Sequence, residues 1–281
     1  MRVGLIIAGL FYCHSGHAVE VTWLKTDWPP HQITSGVYQE QGTFDLLQKQ
    51  IVTLLPQITH QVQIVNLQRM EQAFLQTSKN VCSFGSIFTD KRAVSRWYSK
   101  SVAVLPGLAV HFRSGTELDQ HPALQANGSV DVRKLAQDIQ LTGAYQPNRF
   151  YPPSVLDATT YANFIPHEFT SQVNAAALLV SKRVDYVIEY PERMTFYLQQ
   201  NNSAKTIQTL AVADASPYVE SFITCNKSPE APQIIEWINA ALVAVWQTAE
   251  YKQAMFTWVS EQHKSRLQPA FAVTQQRVTA Q

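Results

Sequence analysis

Between Val21 and Val212 the chain switches repeatedly between a two-residue and a roughly four-residue apolar rhythm, which restricts it to architectures that alternate strands with helices. Residues 21–24 read as a first strand. Asp27-Trp28-Pro29-Pro30 closes it, because prolines deny a sheet its donors. Phe44, Leu47, Ile51, Leu54 and Leu55 share one face of a helix over 43–55 that Pro56 stops. A strand over 61–65, a helix over 68–77 and a strand over 81–88 follow. The apolar run 102–112 is broken by Pro106-Gly107, and a second α/β series then begins. It has a strand over 139–141, a helix over 170–182 with Val173 on its apolar face, and strands over 184–188 and 207–212. Strand character resumes over 222–225, and helices over 232–247 and 249–262 close the series.

This order implies two α/β lobes, each a mostly parallel sheet flanked by helices, joined by two hinge strands near residues 107 and 215. Lobe one would be discontinuous, 19–107 plus 215–265. Lobe two would be 108–214, with a C-terminal tail over 266–281. Ligand sites favour such inter-lobe clefts, where strand ends converge.

Apolar residues make up 46% of the sequence, enough for two modest cores. Lys plus Arg number 22 against 21 Asp plus Glu, so the net charge of +1 argues against nucleic acid or an anionic membrane as partner. Residues 1–18 read as a signal peptide: Arg2, an apolar run over 3–12, then Gly16-His17-Ala18. That run is far shorter than the ~20 residues of a membrane span. The leader sets the expectation of a periplasmic protein, taken to be a monomer. Cleavage would remove Cys13 and leave Cys82 and Cys225, which an oxidising compartment allows to pair, or which stay as two buried thiols. The six later histidines are scattered without metal-ligand spacing, and no Gly-x-Ser-x-Gly, phosphate loop or Cys-x-x-Cys occurs, so no metal or cofactor is expected.

Several segments, in order, resemble the amino-acid-type (family 3) bacterial extracellular solute-binding proteins. Trp28-Pro29-Pro30 followed by Gly42-Thr43-Phe44-Asp45 is similar to that family's first βα unit. Ser86-Ile87-Phe88-Thr89-Asp90-Lys91-Arg92, with Tyr98-Ser99 after it, is similar to its Thr-x-x-Arg signature. Residues 184–189 resemble its acidic second-lobe strand, although Glu189 is followed by Tyr190-Pro191 where the family has a Gly-Asp pair. The resemblance implies a type 2 periplasmic binding fold, capture of an amino-acid-like carboxylate for uptake or sensing, and a membrane permease or sensor as partner. It also implies that the third strand and the returning strand are neighbours, so that Cys82 would bridge to Cys225.

It further implies that Arg92 clamps the ligand carboxylate, a role a planar guanidinium fork suits better than Lys91. Thr89 and Ser86 would add hydroxyls, unless they only cap the chain locally. Trp28 would stack on the ligand. Glu189 would receive an ammonium from lobe two, against the competing reading of a salt bridge to Arg193 one turn on. Tyr145 and Arg149 are weaker candidates on the loop after the 139–141 strand. The expectation is a binding protein and not an enzyme. The alternative is a dehydratase-like lyase using Glu189 as general acid.

Overall fold

A computed structural model describes residues 19–147, 149–169, 174–200 and 207–280. The expected leader over 1–18 and Val173 lie outside them. The chain opens with β1 (Val19–Lys25), α1 (Thr43–Val52), β2 (Ile58–Ile64), α2 (Leu67–Ala73), β3 (Val81–Ser86), α3 (Asp90–Ala93) and β4 (Arg96–Pro106). It crosses to a second unit: β5 (Ala109–Arg113), β6 (Ser129–Val130), α4 (Val132–Gln137), β7 (Gly143–Tyr145), α5 (Pro153–Ala158), β8 (Phe164–Pro166), α6 (Ala175–Val180), β9 (Tyr186–Glu189), α7 (Pro191–Gln200) and β10 (Ile207–Val212). It returns through β11 (Tyr218–Asn226) and ends in α8 (Ala231–Val245), α9 (Ala249–Met255) and α10 (Glu261–Thr279).

Two sheets result, in the orders β2-β1-β3-β11-β4 and β6-β10-β5-β9-β7-β8. The βα units pair parallel, β1 with β2 and β3, and β7 with β8 and β9. The strands that carry the chain between lobes bring in antiparallel pairs, β11 with β3 and β4, and β5 with β9 and β10, while β10 pairs parallel with β6. Each sheet is therefore mixed, with helices on its faces. On β1, buried Val21 and Trp23 alternate with partly exposed Glu20 and Thr22. The first core adds Phe44, Leu47, Ile238, Leu242 and Trp246 from the helices. Lobe two builds two cores, one around Val110, Val155 and Tyr186, the other around Leu179, Val187 and Phe196.

The two crossings touch. Gly107 N–H donates to the Pro217 carbonyl at 3.0 Å, and a Cβ at 107 would collide with the Ser216 carbonyl, so glycine is required there. Cys82 and Cys225 sit opposite each other on β3 and β11 and are joined by a disulfide.

Three expected elements differ. Residues 139–141 are a turn, not a strand: Gln140 N–H donates to the Asp138 side chain at 2.9 Å, Ile139 is exposed, and the strand begins only at Gly143. Where a tail is expected over 266–281, α10 runs on to Thr279 and buries Leu267, Phe271 and Val278 in the first core. Pro269 lies inside α10. The helix expected over 249–262 is likewise two, because Ser260 caps a fresh start, accepting from His263 N–H at 3.4 Å.

Candidate functional site

The site begins with a loop held in place by one carboxylate. Asp45, in the first turn of α1, accepts from Ile33 N–H at 2.9 Å and Gly42 N–H at 3.1 Å, and pairs with Lys25 Nζ at 2.9 Å. That pins residues 28–42 beside the end of β1 and sets Trp28 between the lobes, where it packs against cores of both.

On one flank of the cleft the lobes are sealed together. A His31 ring nitrogen donates to Glu192 Oε1 of α7 at 3.1 Å, with both side chains 1% exposed. Arg193 donates to the Pro29 carbonyl and places its guanidinium carbon 5.3 Å from the Trp28 ring centroid. Ile33 belongs to a core of lobe two, and Phe196 packs edge-on against Tyr38 and Trp258 of lobe one.

On the other flank a cavity of about 540 Å³ opens between the lobes. Lobe one contributes Trp28, Gln32, Arg69, Glu71, Ser86, Arg92 and Arg96, and lobe two contributes Gln146, Arg149, Phe150, Phe169 and Tyr190. A volume in this range encloses a small organic ligand.

Its charges belong to two trios of the same composition, of which Glu189 and Arg193 stand behind the wall. In lobe one, Glu71 of α2 pairs with Arg96 and lies 3.9 Å from Arg92. Arg96 is buried, stacked 4.0 Å above the Phe74 ring. In lobe two, Glu189 pairs with Arg149 at 2.6 Å and with Arg193 at 3.1 Å, and also accepts from Tyr190 N–H at 2.9 Å. Burial alone would raise the Glu189 carboxyl, but the two guanidiniums and these hydrogen bonds outweigh it and hold it at about 2. Burial alone would lower Arg149, yet Glu189 keeps it above its ordinary value. Beneath them His111 is enclosed between Thr209 and the Glu189 carbonyl, and burial lowers it to about 4. Burial pushes the Tyr190 hydroxyl up to about 12.

Of the seven residues singled out in the sequence, Trp28, Ser86, Arg92 and Arg149 line the cavity. Ser86 Oγ is hydrogen-bonded to Thr224 Oγ1 at 2.8 Å, and Arg92 donates to the Ile87 carbonyl at 3.4 Å. The other three stand elsewhere. Thr89 caps α3, its hydroxyl accepting from Arg92 N–H at 3.2 Å, so it aims the arginine without facing the cavity. Tyr145 stacks on Phe164 at 4.8 Å between ring centroids, inside lobe two. Glu189 is 1% exposed and its carboxylate is taken up by Arg149 and Arg193, which overturns both expected roles. A carboxylate held at about 2 carries no proton to donate as a general acid near neutral pH, and one enclosed by two guanidiniums does not meet a ligand amine.

The residues the sequence reading missed are Arg96, Glu71, Arg69 and Gln32. Arg92 and Arg96 are four apart, but α3 ends at Ala93 and Arg96 opens β4, so no helical face joins them.

No protein-family model and no curated protein matches the chain. Solved structures do. A histidine kinase sensor domain with similarity to periplasmic binding proteins aligns over 87% of this chain and 97% of its own, with TM-score 0.67 and 13% identity. An ancestral arginine-binding protein bound to arginine aligns over 87% and 100%, with TM-score 0.64 and 16% identity. The substrate-binding protein of an ABC uptake transporter from Streptococcus pneumoniae, with bound histidine, aligns over 86% and 92%, with TM-score 0.62 and 14% identity.

Proposed function

We propose that this chain, which has the two-lobed type 2 periplasmic binding fold, is an extracytoplasmic solute-binding protein, capturing a small carboxylate-bearing ligand in the inter-lobe cavity for uptake or sensing. The observation that carries this reading is the cavity itself, about 540 Å³ and walled by both lobes, with Arg92 on one side and Arg149 on the other. A ligand that touches both walls binds the closed arrangement better than the open one, and so favours closure. In this reading residues 1–18 direct export and are removed, and the mature monomer shows its closed surface to a permease or a sensor. Sensing draws support from the likeness to a kinase sensor domain, and uptake from the likeness to a transporter's binding protein.

The test is a thermal-shift screen of the mature chain with amino acids, small carboxylates and peptides. A ligand that binds only the native state raises Tm in proportion to ln(1 + [L]/Kd). A cognate ligand shifts Tm in the native protein and much less in Arg92→Ala. Equal shifts in both proteins would remove Arg92 from the site.

A further inference from the structure

Both trios contain two guanidiniums and one carboxylate, so each carries one net positive charge; all three members of the lobe-one trio line the cavity, and the lobe-two trio meets it through Arg149. Arg69 adds a further guanidinium to the wall, and its side chain has no ion-pair partner among the described residues. Asp27 is the other lining carboxylate. It is exposed, and its Oδ1 accepts from the Thr34 hydroxyl at 2.7 Å.

A neutral donor points the same way. Gln32 lines the cavity and is 2% exposed. Its amide oxygen is used by Thr26 N–H at 3.2 Å, which leaves a buried amide nitrogen with no hydrogen-bond partner among the described residues. A buried amide N–H₂ group without an acceptor is costly, and a ligand oxygen would satisfy it. Around these groups the wall is aromatic: Trp28, Tyr190, Phe169, and Phe150, which is 54% exposed.

We infer that the cleft takes a dianion on an apolar frame, one charge against the Arg92–Glu71–Arg96 trio and the other against the Arg149–Glu189–Arg193 trio. This rests on the binding-protein reading and narrows it. The carboxylate best placed in lobe two to receive an amine is enclosed by two guanidiniums. An α-ammonium would enter a cavity in which cations outnumber carboxylates, and a dianion would leave the charges balanced. Free cationic amino acids are disfavoured for the same reason.

The experiment is calorimetric titration of the mature chain with two matched pairs, terephthalate against benzoate and glutarate against butyrate, alongside L-phenylalanine and L-arginine. Each dicarboxylate is expected to bind at least about tenfold more tightly than its monocarboxylate partner, the yield of one additional charge-assisted contact. Arg149→Gln should remove that advantage while changing benzoate affinity by less than about threefold. Arg149→Lys, which retains a cation beside Glu189, should fold where the glutamine variant does not and give an intermediate loss. If neither dicarboxylate outbinds its partner, or if L-phenylalanine or L-arginine binds more tightly than both, the dianion assignment is wrong and the binding-protein reading stands. If none of these six compounds binds and a broad amino-acid, sugar and peptide screen also leaves Tm unmoved, both readings fall.

Discussion

Glu71 and Glu189 do parallel work in opposite lobes, each between two arginines, yet the Glu189 side chain is 1% exposed and that of Glu71 is 42% exposed. The lobe-two trio is internal to the fold: its carboxylate accepts from Tyr190 N–H, and its Arg193 reaches across to the Pro29 carbonyl. The lobe-one trio stands at the cavity wall with its carboxylate in water. Burial makes the first a fixed framework that would be costly to disturb, because a buried charge stripped of its partner stays desolvated. Exposure of Glu71 and Arg92 makes the second adjustable, because solvent screens those two members while Arg96 stays buried on Phe74. The same composition therefore positions charge in one lobe and exchanges it in the other.

The sharpest way to break this contrast is Glu189→Gln. It should destabilise the fold by about 3–5 kcal/mol, the usual consequence of opening a buried ion pair, read by urea denaturation. A loss under about 1 kcal/mol would make the two trios equivalent. Acid should act on the same framework. Glu189 binds its proton more readily unfolded, so its contribution is complete above about 4.5 and disappears as pH falls toward 2. His111 is held neutral by burial, so the unfolded chain protonates first and stability is lost as pH falls from 6.5 toward 4. Each shift corresponds to on the order of 3 kcal/mol. Denaturation midpoints should fall across both windows, and His111→Gln should flatten the upper one.

Smaller effects belong to the lobe-one trio. Arg92→Ala should weaken a bound carboxylate about 10- to 100-fold, the loss of a charged hydrogen-bonding group, and leave the unfolding free energy within about 1 kcal/mol. Glu71→Gln should cost about 1 kcal/mol or less by the same denaturation assay, since the amide still offers Arg96 an acceptor. It should also tighten anion binding severalfold by removing a competing carboxylate, which titration with benzoate would detect. A cost as large as that of Glu189→Gln would erase the difference between the lobes.

The alternating periodicity carried the fold because each half-buried strand and helix imprints its own rhythm, and the Pro106-Gly107 break marked a crossing because only glycine fits beside Ser216. Arg92 was picked out by the resemblance of 86–92 to the Thr-x-x-Arg signature, in which Thr89 caps the turn that bears it. The rest of the site depends on distance. Arg149 meets Glu189 across 40 residues and Arg96 meets Glu71 across 25, and no spacing rule links them. Burial of Arg96 on Phe74 also runs against the ordinary exposure of arginine, so composition gave no hint of it. The Glu189–Arg193 pair was visible as a four-residue spacing, but the pairing of Arg149 with Glu189 was not, and that pairing removes Glu189 from the ligand.

The seal around His31 and Glu192 has a mechanical corollary. The lobes are fastened at two separate places, the touching connectors at Gly107 and Pro217 and the flank beneath Trp28. Two fastenings fix a line, and rigid bodies tied along a line retain a single rotation, like a door on its pins. Any protein docking on this one would then have only that angle to read.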